Sequence, residues 1–183
     1  MPRLYLIRHG RPAAGFAEHP DPGLDDQGRA QAEAVAGTLL PLLPLVIYSS
    51  PLQRARETAT PLANRCGGAV AIEPRMAEIP SPPEVPLALR GEWLRQVIAG
   101  RWEEQSESIL LWYRAIADCL LSLDQNSAVF THYLAINAAV AQATGDARVE
   151  SFAPDHASVT VLEHDGEHLR VVQLGRAAAT RVT

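Results

Sequence analysis

Leu4-Tyr5-Leu6-Ile7-Arg8-His9-Gly10-Arg11-Pro12 decides how this chain folds. Four apolar residues in a row read as a short buried strand, and a guanidinium, an imidazole and a glycine follow it with no linker. Open α/β sheets bind their ligands at the carboxyl ends of the strands, so this strand tip is the place to look for chemistry. A strand tip holds side chains more firmly than a loop does, and Gly10 lets the backbone approach a ligand closely or turn with positive φ. The same residues also fit a strand that merely ends in a polar turn, and the rest of the chain has to separate the two readings.

Working outward, Ala13 to Asp26 is rich in Gly, Pro, Asp and His and reads as a surface loop, with Asp25 or Asp26 capping a helix that ends near Pro41. Leu45 to Tyr48 is a second buried strand. Ser49-Ser50-Pro51 follows it, with Ser50 as N-cap and Pro51 as first helical residue of a helix running to about Arg65. Gly67-Gly68 ends that helix, and Ala69 to Ile72 is a weaker strand. Pro74, Pro80, Pro82, Pro83 and Pro86 make 74–92 irregular. The insertion continues to about residue 108, carries Trp93 and Trp102, and reads as a lid or binding loop. Ser106 to Leu123 is an amphipathic helix, and Ala128 to Phe130 a strand that ends in Thr131-His132 before an Ala-rich helix to about Thr144. Ser158–Leu162 and Leu169–Leu174 flank the hairpin signal Asp165-Gly166, and the tail from Arg176 reads as frayed. This alternation predicts an α/β fold: a three-layer α/β/α sandwich with a mostly parallel sheet, in a single domain over 1–183.

Composition removes several classes of function. The chain has 183 residues and a net charge of −5, and all 16 of its basic residues are arginine. Without lysine there is no P-loop, no Schiff-base chemistry and no Ser-Lys dyad, and no basic face points to nucleic acid. Cys66 and Cys119 stand far apart with no CxxC, so neither a zinc knuckle nor a disulfide framework is indicated. Both read as buried small hydrophobes in a reducing compartment. The longest apolar stretch, Leu39 to Tyr48, is broken by Pro41 and Pro44 and is too short to span a bilayer. The N-terminus lacks the pattern of a signal peptide, and the expected location is cytoplasmic with no membrane partner.

Three strand ends carry the same kind of residue: Arg8-His9, then Ser49-Ser50-Pro51 with Arg54 a turn into its helix, then Thr131-His132. If those strands are parallel neighbours, two imidazoles, two guanidiniums and a helix N-terminus converge into a small anion site. Arg54 and Arg56 lie about 200° apart around a helix, so only one faces the site, and Arg54 is nearer the strand tip. No cluster suggests a metal or cofactor, so a nucleophile has to come from the protein, with a histidine at a strand tip as the best candidate.

These residues resemble the histidine phosphatase superfamily, in its phosphoglycerate mutase-like branch. Leu6-Ile7-Arg8-His9-Gly10 looks like the RHG signature; Ser49 to Ala55 with Thr58-Ala59 resembles the second motif, and Gly28 with Gln31-Ala32 the helix start between them. Met76-Ala77-Glu78 falls where the family carries its acid, and Phe130-Thr131-His132 resembles its second histidine motif. The resemblance implies a metal-independent phosphomonoesterase, a phosphoric monoester hydrolase acting on a small phosphorylated metabolite. His9 would be the nucleophile, with its other ring nitrogen donating to a backbone carbonyl. Arg8, Arg54 and His132 would hold the phosphoryl oxygens, with His132 cationic. Glu78 would protonate the leaving oxygen and then activate water. A phosphoglycerate mutase, a phosphohistidine protein phosphatase and a non-catalytic phosphate-binding module remain the alternatives, and oligomeric state stays open.

The sequence also departs from the family pattern. Arg11-Pro12 follows RHG where mutases carry Ser and then Asn; Ile79-Pro80-Ser81-Pro82-Pro83 replaces the usual Gly-x-Trp-Glu-Gly around the acid; and Tyr133 follows His132 in place of a small residue. Glu73 and Glu84 lie close to Glu78, and a loop glutamate is more often solvated. Trp93 and Trp102 fit packing as well as they fit a lid. Arg11, Arg90, Arg95 and Arg101 read as surface charge or as selectors of an acidic substrate. Of the other histidines, only His156, close to Ser158, falls near the expected edge of the site.

Overall fold

The computed structural model describes residues 1–178. Its sheet is built from β1 (Arg3–Arg8), β2 (Val46–Ser49), β3 (Val70–Ile72), β4 (Ser127–Thr131), β5 (Val159–His164) and β6 (Leu169–Gln173), in the order β3-β2-β4-β1-β5-β6. β3, β2, β4 and β1 run parallel, and β5 and β6 continue the sheet as an antiparallel edge. The expected sandwich with a mostly parallel sheet is the fold observed.

The central strands are apolar on both faces because both faces are covered. From β1, Tyr5 and Ile7 join one core cluster with Val35, Leu39 and Leu62, which come from α1 (Asp26–Leu39) and α2 (Gln53–Cys66). Leu4 and Leu6 point the other way, into a cluster with Ile116, Leu120 and Ile136 of α4 (Glu107–Leu121) and α5 (Tyr133–Thr144). Leu4, Leu6, Ile7 and Phe130 are fully buried, each contributing about 1.5–3 kcal/mol of transfer free energy. α5 is buried from Tyr133 to Ala141, which explains its composition: alanines let the helix lie close against the sheet on every side.

Caps set the helix limits. Asp25 accepts the Gly28 amide at 2.7 Å and begins α1, and Gly67 and Gly145, both with positive φ, end α2 and α5. α2 begins later than expected, at Gln53 with Leu52 as N-cap. The Ser50 hydroxyl accepts the Leu52 amide at 3.2 Å within a turn, and the Ala55 and Arg56 amides return to the Leu52 carbonyl.

The stretch 74–108 is less irregular than its prolines suggest. Downstream of Pro86 it contains α3 (Arg90–Ala99), whose Val97 is buried in the core. Trp102 is buried against Tyr113 of α4, ring centroids 4.5 Å apart, and Trp93 packs on the same core, so both tryptophans tie the segment to the body of the fold. Both cysteines are free thiols; Cys119 is buried as expected, but Cys66, at the end of α2, is only half-buried. Arg176 is held by Asp155 through an ion pair at 2.9 Å, and Ala177 bridges to Pro154, so the tail is anchored there. The remainder of the tail expected to fray, 179–183, lies outside the described residues. Among the described residues no helix is long and apolar enough to cross a membrane.

Candidate active site

β2, β4 and β1 are adjacent and parallel, so their carboxyl ends lie side by side. Backbone bonds tie the ends together: the His9 amide donates to the Thr131 carbonyl at 3.0 Å, and the Ser50 amide to the Phe130 carbonyl at 2.9 Å. His9, Ser50 and His132 therefore share one level, with the His9 ring centroid 5.1 Å from that of His132. Beyond His9 the chain crosses the first turn of α1 at close range. A Cβ on Gly10 would stand 2.5 Å from the Gly28 carbonyl oxygen, and one on Gly28 2.9 Å from the Arg11 amide nitrogen and closer still to its carbonyl oxygen. Both glycines are needed for that crossing.

Gly10 also fixes the nucleophile candidate. Its carbonyl oxygen lies 2.7 Å from His9 Nδ1, and a carbonyl only accepts, so Nδ1 carries the proton and Nε2 presents a lone pair. Arg54 Nε donates to that Nε2 at 3.2 Å. Burial, His132 and the two guanidiniums hold His9 well below the ordinary histidine value, so the ring is neutral. Thr58 supports both groups, accepting the Gly10 amide at 3.0 Å and donating to the Arg54 carbonyl at 2.6 Å.

Arg54 is buried in the first turn of α2, with Asp21 at 3.7 Å, while Arg56 faces solvent, as the helical spacing predicts. Arg8 donates from Nη1 to the Pro154 carbonyl at 2.8 Å and lies 4.9 Å over the Tyr133 ring. Burial lowers its pKa to about 10, which leaves it cationic at neutral pH. His132 is fully buried, with Nε2 2.7 Å from Ser50 Oγ. Burial, Arg54 and Arg8 push it well below the usual value, which corrects the expectation of a cationic His132: the imidazole is neutral here. Two buried groups, Arg8 Nε and His132 Nδ1, have no hydrogen-bond partner among the described residues. Buried polar atoms are ordinarily satisfied, so both are candidates for contact with a ligand.

Glu78 is not a solvated loop residue. Met76 and Ile79 on either side are buried, the Thr131 hydroxyl donates to the Met76 carbonyl at 2.6 Å, and Trp112 Nε1 donates to the Ala77 carbonyl at 3.1 Å. Its Oε1 accepts the Leu134 amide at 3.2 Å. Burial nevertheless outweighs that bond and the nearby guanidiniums, and raises Glu78 above the ordinary carboxylate range. Arg8, His9, Arg54 and Glu78 line a cavity of about 440 Å³; His132 is not part of its wall.

The other candidates divide. Arg11 lines the cavity, bonded to Asp25 at 2.5 Å, whereas Arg90, Arg95 and Arg101 do not reach it. Leu94 and Ile98 of α3 contribute to the wall where Trp93 and Trp102 do not. His156 also lines the cavity, its ring 5.8 Å from that of His9, beside Ala157 at φ 53°. Sequence reasoning missed the Ser50 contact to His132, the Pro154 carbonyl that holds Arg8, and the place of Tyr133 beneath Arg8. Ser50 read as a cap, and nothing local in sequence marks a carbonyl acceptor 146 positions away.

Residues 4–81 match the histidine phosphatase superfamily (branch 1). Over 80 residues the chain is 40% identical to a glucosyl-3-phosphoglycerate phosphatase of Mycolicibacterium vanbaalenii, a match over 42% of this chain and 36% of that protein. The chain thus matches only about a third of the length of that curated relative. The fold extends much further than the sequence match. A mycobacterial glucosyl-3-phosphoglycerate phosphatase solved with VO3 superposes with a TM-score of 0.74 at 23% identity, over 97% of this chain and 100% of that one. A phosphoserine phosphatase of Entamoeba histolytica solved with 3-phosphoglyceric acid gives 0.75 at 19% identity, over 97% and 98%. The stretch similar to the histidine phosphatase superfamily, residues 4–81, is the one that carries His9, Arg54 and Glu78.

Proposed function

We propose that this protein is a phosphomonoesterase that works without a metal or other cofactor, through a phosphohistidine at His9, on a small phosphorylated metabolite. The observation that carries this reading is the pair of unsatisfied buried donors, Arg8 Nε and His132 Nδ1, beside a histidine whose Nε2 is held as a free base. The Ser50 hydroxyl accepts the Leu52 amide and has its own proton to give to His132 Nε2; in that arrangement the His132 proton sits on Nδ1. A phosphoryl group would satisfy both donors, and Arg54 would grip a further oxygen.

In the first step the His9 Nε2 lone pair attacks phosphorus, the N–P bond forms and the P–O bond to the alcohol breaks. Glu78, whose acid form burial favours, gives its proton to the departing oxygen. In the second step the Glu78 carboxylate takes a proton from water, the water oxygen attacks phosphorus, and the P–N bond breaks to release phosphate. Throughout, His9 Nδ1–H stays on the Gly10 carbonyl, and Arg8 and Arg54 offset charge on the transferring oxygens. Residues 1–183 form a single domain in this reading, with 74–108 covering the site, and the free thiols fit a cytoplasmic location.

Hydrolysis of phenyl phosphate in the presence of a chelator tests the proposal. It predicts turnover in the wild type and loss of turnover in His9→Ala. Phosphate binding without turnover would identify a binding module instead, and phosphoglycerate interconversion without net hydrolysis a mutase.

A further inference from the structure

The cavity is asymmetric in a way that bears on the alcohol half of the substrate. Around His9 it is cationic, through Arg8 and Arg54. Farther out, among the described residues, it is lined by one guanidinium and one carboxylate, Arg11 and Glu18, and by the imidazoles of His19 and His156. Arg11 is neutralised by Asp25, its Nε 2.5 Å from Oδ2. Glu18 accepts the Gly15 amide at 2.9 Å and has no cationic partner among the described residues. Once a phosphoryl group occupies Arg8 and Arg54, the outer cavity therefore offers a second anion, among the described residues, no guanidinium without a carboxylate partner and one opposing carboxylate. The rest of that wall is largely apolar, with Pro12 and Phe16 from the loop after β1, Leu94 and Ile98 from α3, and Leu134 from α5.

Resting on the phosphomonoesterase reading, we propose that the alcohol released is uncharged and largely apolar, so that the substrate is the monophosphate of a small hydrophobic alcohol carrying neither a carboxylate nor a second phosphate. The volume suits this class, lying near the lower end of the roughly 300–1,000 Å³ typical of small-molecule pockets. Apolar contact with Phe16, Leu94 and Ile98 favours such an alcohol, and a carboxylate in the same place would lose its water shell opposite Glu18 without gaining a partner. A glyceryl carboxylate, as in phosphoglycerate, is the group this wall disfavours.

The test compares two primary alkyl phosphates whose leaving oxygens are chemically alike, 3-phenylpropyl phosphate and 3-phosphoglycerate. Wild-type kcat/KM should favour the phenylpropyl ester by roughly tenfold or more, the scale of apolar pocket discrimination. Leu94→Arg, which adds a cation to the wall, should narrow or reverse that ratio. Calorimetric binding of both esters to His9→Ala gives the same comparison without turnover, and the phenylpropyl ester should again bind more tightly. Equal or reversed preference in either measurement overturns the inference and leaves phosphatase chemistry standing. Absence of turnover on every ester overturns the phosphatase reading, and the binding comparison still decides this one.

Discussion

Two alanine substitutions in one helix should have opposite effects. Gly28 and Gly37 both belong to α1, so the intrinsic gain from Gly→Ala, about 1 kcal/mol in a helix interior, favours both changes. At Gly37 the new Cβ would meet only Arg65 Nη1, at 3.7 Å, and that gain should survive nearly whole. At Gly28 the Cβ would stand 2.9 Å from the Arg11 amide nitrogen and nearer its carbonyl oxygen, so the backbone itself has to move. Overpacking of this kind costs about 1–3 kcal/mol and sometimes more. The same movement strains the Asp25 amide bond to the Arg11 carbonyl, at 3.2 Å. The net expectation for Gly28→Ala is a loss of about 2 kcal/mol, or roughly 4–8 °C in Tm for a chain of this length. Because Gly10, whose carbonyl fixes the His9 proton, precedes Arg11 directly, kcat should fall as well. Thermal denaturation and turnover of both variants, side by side, are the assay. A Gly28→Ala protein as stable and active as Gly37→Ala would refute the argument that close backbone approach demands glycine there.

Further outcomes follow from the other buried polar groups. Because burial raises Glu78, its acid form should sustain kcat to higher pH than an ordinary carboxyl would, with activity falling as pH rises through the raised value; Glu78→Gln should flatten that descending limb and slow alkyl ester hydrolysis by about 10²–10⁴-fold. Asn137 is fully buried, and its Oδ1 accepts the Ser151 and Phe152 amides at 2.9 and 3.2 Å while its Nδ2 donates to the Tyr133 carbonyl; Asn137→Ala should cost about 3 kcal/mol in chemical denaturation without shifting the pH optimum. His132 is held neutral by burial, so its folded pKa lies below the unfolded value of about 6.5 and the unfolded chain alone takes up a proton below that pH. Its contribution to stability is therefore intact above pH 6.5 and lost as the pH falls, by up to about 1.4 kcal/mol per unit, and His132→Gln should shallow the acid slope of denaturant-derived stability by that amount.

The site was legible in the sequence wherever its residues sit at strand ends. His9, Arg54 and His132 each lie within a few residues of a strand of strong apolar character, and the parallel order of β2, β4 and β1 then brings them together without further information. Arg54 could be preferred over Arg56 because helical geometry alone separates them. What could not be read was set by packing. Ser50 has the chemistry of a cap, and only the pairing of β2 with β4 makes it a partner of His132. The five prolines between 74 and 86 hid α3 because they lie upstream of it, and its apolar residues became meaningful only with the core they meet. The neutrality of His132 is likewise a property of burial between two guanidiniums, and a family pattern carries no such information.

The phosphoenzyme itself is the most direct test of the central claim. Rapid acid-free quenching of wild-type protein during turnover of phenyl phosphate, followed by peptide mass spectrometry at alkaline pH, should locate one phosphoryl group on His9, with Glu78→Gln accumulating more of it because water activation is slowed. A phosphoryl group on any other residue, or sustained hydrolysis by His9→Ala at the wild-type rate, would contradict the account.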